Sequence, residues 1–150
     1  MATGKALLDT NVLIYATLEN DPRHMTARDL VMGQGIGVDY ELFVSAQNLA
    51  EMWPNLTGPK TTPPNSPPLA RKKIEAIAEL PHLTVLPIDR ETIRRALRLA
   101  AVLGITRQRY YDIQIVGTMQ QYGIERVFTE NLTDFVGIEG IEPINPFAES

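Results

Sequence analysis

Residues 6–14, Ala-Leu-Leu-Asp-Thr-Asn-Val-Leu-Ile, leave little choice of architecture. A short apolar run ends in Asp9, and a helical pattern follows at once. A buried strand that passes directly into a helix reaches its neighbour by a crossover, so the next strand runs parallel to it. In a parallel sheet, ligands bind at the carboxyl ends of the strands. A carboxylate buried there is costly unless something pairs with it, and a metal ion is one such partner.

The rest of the chain repeats the pattern. Residues 5–8 read as the first strand. A short helix begins over 12–18 and fades at Glu19-Asn20-Asp21-Pro22, and a second covers 23–33, ended by Gly33 and Gly35. Residues 42–44 read as a strand. Ser45 makes a good N-cap for a helix over 46–56, whose Leu49, Met52, Trp53 and Leu56 recur at helical spacing. Pro54 is expected to kink that helix or end it early. Residues 57–68 hold four prolines in their last six positions and read as an irregular loop. A helix over 69–80, a short strand around Val85-Leu86 and a helix from Asp89 or Arg90 to Leu103 follow, the last stopped by Gly104. A helix over 110–122, a strand over 126–128 and a weak strand over 142–144 complete the order βααβααβααβ(β). That predicts an α/β fold, a parallel sheet with helices on both faces. Too few elements precede the proline-rich loop to bury a core alone, so 1–150 reads as one domain.

Composition removes several chemistries. The chain has 150 residues, 44% of them hydrophobic, and no cysteine, which excludes disulfides and cysteine-based metal or redox sites. Of its two histidines, His24 stands at a helix start and His82 in a loop, poor material for a histidine-rich site. No basic-flanked apolar leader opens the sequence and no stretch approaches a membrane span, so the expectation is a cytoplasmic protein. The net charge is −4, yet residues 71–109 are net +5, leaving −9 elsewhere. That asymmetry suits a basic surface beside an acidic site, and equally an ordinary solvated helix carrying Arg94, Arg95 and Arg98.

Three further acidic positions share the context of Asp9. Glu51 rides the helix after the second strand, three residues beyond Asn48 and so on the same face, with apolar neighbours that predict partial burial. Solvent exposure is the commoner fate of such a glutamate. Asp112 falls in the first turn of an apolar helix, where the helix dipole favours a carboxylate, and a plain capping role suits it equally. Tyr110 and Tyr111 before it read as core cover more readily than as base-stacking surfaces. After the fourth strand, Thr129-Glu130-Asn131-Leu132-Thr133-Asp134 gathers a hydroxyl, an amide and two carboxylates, although Asn131 and Asp134 also suit a turn. Each junction is attached to a strand end, so the topology gathers them at one edge. An all-oxygen set suits Mg²⁺ or Mn²⁺, which neutralises phosphate charge and supports in-line attack on a phosphodiester. No Walker A or GxGxxG pattern cradles a nucleotide.

Leu7-Leu-Asp9-Thr10-Asn11-Val-Leu-Ile-Tyr15 resembles the opening motif of PIN domains, in particular of the VapC-type toxin ribonucleases. Asn48-Leu-Ala-Glu51, Tyr111-Asp112-Ile-Gln-Ile-Val and Phe128-Thr129-Glu130-Asn131-Leu-Thr-Asp134-Phe135 resemble the later motifs, in order and across nearly the whole chain. The resemblance implies a three-layer α/β/α fold with strand order 3-2-1-4-5 and Mg²⁺- or Mn²⁺-dependent cleavage of RNA. It makes Asp9, Glu51 and Asp112 metal ligands, with Thr10 and Asn11 supporting the first site and Thr129 positioning the last motif. Many family members carry aspartate where Asn131 stands. An amide binds metal more weakly, and Asp134 is placed to compensate. A small antitoxin partner and a homodimer are also implied.

The leading expectation is a metal-dependent endoribonuclease with Asp9, Glu51, Asp112 and Asn131 as catalytic residues, water activation falling to Asp9 or Asp112. A PIN-like module that binds RNA or protein without turnover is the alternative, with Asn131 its one hint. Phosphoryl transfer onto Asp9 is disfavoured, because such chemistry wants a second carboxylate where Asn11 stands.

Overall fold

The computed structural model describes residues 4–148. Five parallel strands form one sheet in the order β3-β2-β1-β4-β5, with β1 Gly4–Leu8, β2 Tyr40–Ser45, β3 Leu83–Leu86, β4 Arg126–Phe128 and β5 Glu142–Ile144. Six α-helices connect them: α1 Thr10–Tyr15, α2 His24–Val31, α3 Ala46–Thr57, α4 Pro67–Ala78, α5 Arg90–Leu103 and α6 Tyr110–Gln121. The expected strand order is the observed one.

Strand alternation divides the core. Ala6, Leu8, Leu42, Val44, Leu83 and Phe128 face α1 to α4, packing with Val12, Leu30, Met52 and Leu56. Leu7, Phe43 and Val127 face the other way, onto Ala96 and Ala100 of α5 and Ile113, Val116 and Met119 of α6. Burying both faces of β1 explains why it reads as an unbroken apolar run. On the second face, α5 and α6 meet closely at Gly117, where an added Cβ would stand 3.0 Å from the Thr92 carbonyl oxygen and 3.3 Å from the Ala96 Cβ.

Of the two outcomes expected of Pro54, early termination is overturned: the residue sits inside α3, which continues to Thr57. The carbonyl it leaves without a helical donor belongs to Ala50, an exposed residue, so water can serve it. The proline-rich stretch ends earlier than expected, because Pro67 and Pro68 form the first turn of α4. A helix N-terminus needs no proline N–H there, and Ser66 caps it by accepting from the Leu69 N–H at 3.4 Å.

Candidate active site

Asp9 follows β1 without a spacer. Its backbone N–H donates to the Phe128 carbonyl at 3.0 Å, extending the β1–β4 ladder by one bond. Its carboxylate caps α1, accepting from the Thr10 N–H at 2.9 Å. Thr129 Oγ1 donates to Asp9 at 2.8 Å, and the amides of Asn11 and Asn48 each donate at 3.3 Å. Asn48 also donates to Thr10 Oγ1 at 3.1 Å, while its own Oδ1 accepts from the Ser45 N–H to close a capping box. Asn11 Oδ1 accepts from the Glu130 N–H at 3.1 Å. The start of α1, the start of α3 and the segment after β4 are thus joined through one buried carboxylate.

Glu51 accepts from Gln47 Nε2 at 2.7 Å. The same amide nitrogen donates to the Tyr111 carbonyl at 2.8 Å, and Gln47 Oε1 accepts from Gln114 Nε2 at 2.7 Å. Gln47 therefore ties the helix of Glu51 to the helix of Asp112. Gln47 lies in none of the motifs quoted from the sequence, and Gln114 lies in the third of them with no role assigned to it there. A buried pair of glutamines at facing helix starts is the signal that marks them.

Asp9, Glu51, Asp112, Asn131 and Asp134 line one cleft of about 410 Å³, together with Thr10 and Asn11. Thr129 is fully buried behind it. Burial pushes Asp9 up to about 6 despite the bonds from Thr129 and Thr10, and the charges of Glu51 and Asp134 add to the rise. Burial likewise raises Asp112 to about 6, followed by the charges of Asp134, Asp9 and Glu51, with Arg109 opposing. The acidic groups feel one another across the cleft.

Sequence reasoning missed the opposite wall. Arg23 holds Asp21 by two bonds of 2.9 Å and Glu130 by one of 3.1 Å, and its guanidinium lies 3.8 Å from the Tyr15 ring centroid. Burial raises the Tyr15 hydroxyl to about 12, and the neighbouring Glu130 carboxylate adds to it. Asn55 and Lys60 also line this wall. Asp21-Pro22 reads in sequence as the end of a fading helix and Arg23 as the start of the next, and nothing local announces that the turn folds back onto the cleft. None of the nine basic residues of 71–109 lines it; its cations are Arg23 and Lys60. Arg94 and Arg95 pair with Glu91, and Arg71 with Glu75, on exposed helix faces. His24 and His82 bond the backbone carbonyls of Tyr15 and Val31 and lie outside the cleft. Tyr110 packs against the core, whereas Tyr111 is half exposed.

The family model for the PIN domain matches residues 6–135, from the middle of β1 past the last motif. This chain belongs to the PIN domain family. Solved structures share its fold. The DNA-bound VapBC complex of Salmonella typhimurium is 26% identical over 97% of this PIN domain and 99% of that chain, with a TM-score of 0.60. The sarcin-ricin-loop-cleaving toxin VapC20 of Mycobacterium tuberculosis is 18% identical over 93% and 100%, at 0.65. VapBC-1 of nontypeable Haemophilus influenzae is 19% identical over 94% and 97%, also at 0.65. None of the curated proteins matches this chain.

The donor set of this PIN domain fits a hard divalent cation. The groups able to donate to a metal there are carboxylate, amide and hydroxyl oxygens, the chemistry that Mg²⁺ and Mn²⁺ prefer, and Arg23 and Lys60 are the cations beside them. After burial, the charges of Glu51 and Asp134 raise Asp9 and those of Asp134, Asp9 and Glu51 raise Asp112, negative charge that a cation would offset. Among the described residues, no three acidic or histidine side chains stand close enough to cage an ion by themselves. Mg²⁺ does not require a cage, since it keeps several waters and is held through one or two carboxylates and the substrate's phosphate. No helix among the described residues is long and apolar enough to cross a membrane.

Proposed function

We propose that this PIN domain is a Mg²⁺- or Mn²⁺-dependent endoribonuclease and the toxin of a toxin–antitoxin pair. One observation carries the reading: Asp9, Glu51, Asp112 and Asp134 line a single cleft, in which burial and the neighbouring carboxylates raise Asp9 and Asp112. The toxin–antitoxin part is supported by the VapBC complexes among its structural neighbours, the Salmonella one at 26% identity.

In this reading a divalent cation would be held directly by one or two of Asp9, Glu51, Asp112 and Asp134 and through water by the others, and it would supply neutralisation of phosphate charge. The protein's own groups set the geometry. Thr129, Asn11, Asn48 and the Thr10 N–H fix the Asp9 carboxylate from four directions, so it does not reorganise when charge develops. Gln47 fixes Glu51 relative to the backbone of α6, where Asp112 stands. Asp112, half-buried and raised, would take the proton of the attacking water as the P–O bond to the departing ester oxygen breaks, and that oxygen would take a proton from solvent. Asn131, exposed at the cleft, offers a neutral amide to the phosphate.

The test is cleavage of single-stranded and structured RNA with Mn²⁺ or Mg²⁺. Wild type is expected to cut, EDTA to stop it, and Asp9→Asn or Asp112→Asn to lower the rate by at least about a hundredfold with circular dichroism unchanged. RNA that stays intact in wild type while still binding, with no heat of Mn²⁺ binding by calorimetry, would replace this reading with that of a non-hydrolysing RNA-binding module.

A further inference from the structure

The carboxylate cleft is open at one rim. It runs into a second depression of about 660 Å³, and Leu18, Asp21, Lys60 and Thr61 line both. One wall of this groove is the turn after α1, from Thr17 to Pro22. The other is the proline-rich segment and the start of α4, including Lys73. The proline-rich segment is pinned to the end of α3. Thr61 Oγ1 donates to the Asn55 carbonyl at 2.8 Å, and the Asn65 N–H donates to the Leu56 carbonyl at 2.7 Å. Lys60 is therefore carried by a loop fastened to the helix that presents Glu51.

A cleft lined by six carboxylates repels a polyanion, so a nucleic-acid strand needs cations along its approach. Arg23 is committed to Asp21 and Glu130. Lys60 has no ion pair among the described residues and stands where cleft and groove meet. Of the two acids lining the groove, Asp21 shares the Arg23 guanidinium with Glu130, and Glu19 lies near Lys73.

We infer that this groove is the track by which single-stranded RNA reaches the carboxylates, with Lys60 and Lys73 contacting its backbone phosphates. The inference rests on the nuclease reading and adds the substrate's path and two binding residues to it. A prolyl segment suits the task, because a wall with few accessible conformations gives up little entropy when a strand settles against it.

The experiment is fluorescence anisotropy of a labelled single-stranded RNA of mixed sequence, titrated with the full chain in an Asp112→Asn background across a salt series. Lys60→Ala and Lys73→Ala are each expected to weaken binding about fivefold at low salt. Each should also reduce the slope of log affinity against log salt by about 0.7, the signature of one lost phosphate contact on a single strand. Lys60→Arg should restore both quantities. Lys72→Ala, on the exposed face of α4 outside the groove, should change neither. In the otherwise wild-type enzyme, Lys60→Ala should raise KM with kcat held. A folded Lys60→Ala/Lys73→Ala protein with unchanged affinity and slope would overturn the inference and leave these lysines to an acidic protein segment. Lysine-dependent binding without any cleavage would overturn the nuclease reading and leave the groove standing; no RNA binding by any form would overturn both.

Discussion

Four donors converge on Asp9, yet it is harder to ionise than an ordinary aspartate, because burial outweighs them. The consequence for stability has a definite sign. With a folded pKa near 6 against 3.8 in the unfolded chain, the native state binds more protons between those values. The stability tied to protonated Asp9 is complete below about pH 4 and is lost as pH rises through 6. For a residue only 9% exposed this amounts to about 2–3 kcal/mol. Urea denaturation in EDTA is therefore expected to give a lower midpoint at pH 7.5 than at pH 5. Asp9→Asn should shrink that difference while abolishing cleavage. An Asp9→Asn protein as pH-sensitive as wild type would mean that the carboxylate does not carry the strain. At this scale the sequence was informative where a side chain's place in the fold follows from its neighbours in the chain. Asp9 after an apolar run and Asp112 before one are such cases. Arg23 is the contrary case, because its partners Tyr15 and Glu130 reach it only through the folded turn and the strand-end loop.

Among the elements, α3 and α6 must hold their starts in register for Glu51 and Asp112 to share a cleft, and Gln47 is the tie between them. Truncating it leaves the buried Gln114 amide without its partner, a cost of about 1–3 kcal/mol. Gln47→Ala is expected to lower the denaturation midpoint by that amount and to reduce kcat more than it raises KM. A variant as active and as stable as wild type would show that the two helices are held by apolar packing alone. The elements themselves were legible where periodicity and caps agree: Ser45 and Asp89 do cap α3 and α5, and Gly104 ends α5 with a φ of 68°. The prolines were misread because their effect depends on position. At the first turn of α4 no N–H is missed, and in α3 the orphaned carbonyl faces water. The 3₁₀ turns at Gly35–Asp39, Arg107–Arg109 and Leu132–Asp134 have no periodic signal to give them away, being too short to show one.

The strand order belongs to the whole molecule, and it brings carboxylates more than a hundred residues apart to one sheet edge at an electrostatic cost. Any folding energy that this packing provides is reduced by the mutual repulsion of Asp9, Asp112, Glu51 and Asp134 at neutral pH. A divalent cation reverses that balance, because it binds the ionised carboxylates and competes with protons. Without metal, the melting temperature is expected to fall from pH 5 to pH 7.5; with saturating Mn²⁺ it should rise over the same interval. At a hundredfold excess over the dissociation constant, the metal adds about 2.7 kcal/mol, or about 5–10 °C for a protein of this size. Asp112→Asn should lose most of the Mn²⁺ response and part of the metal-free pH dependence. Ca²⁺, larger and more tolerant of irregular oxygen sites, should also stabilise the fold, and its failure to support cleavage would separate holding charge from doing chemistry. Parallel melting curves at both pH values, unmoved by Mn²⁺, would show that the acidic cleft has no affinity for a divalent cation, and the proposed nuclease would lose its cofactor.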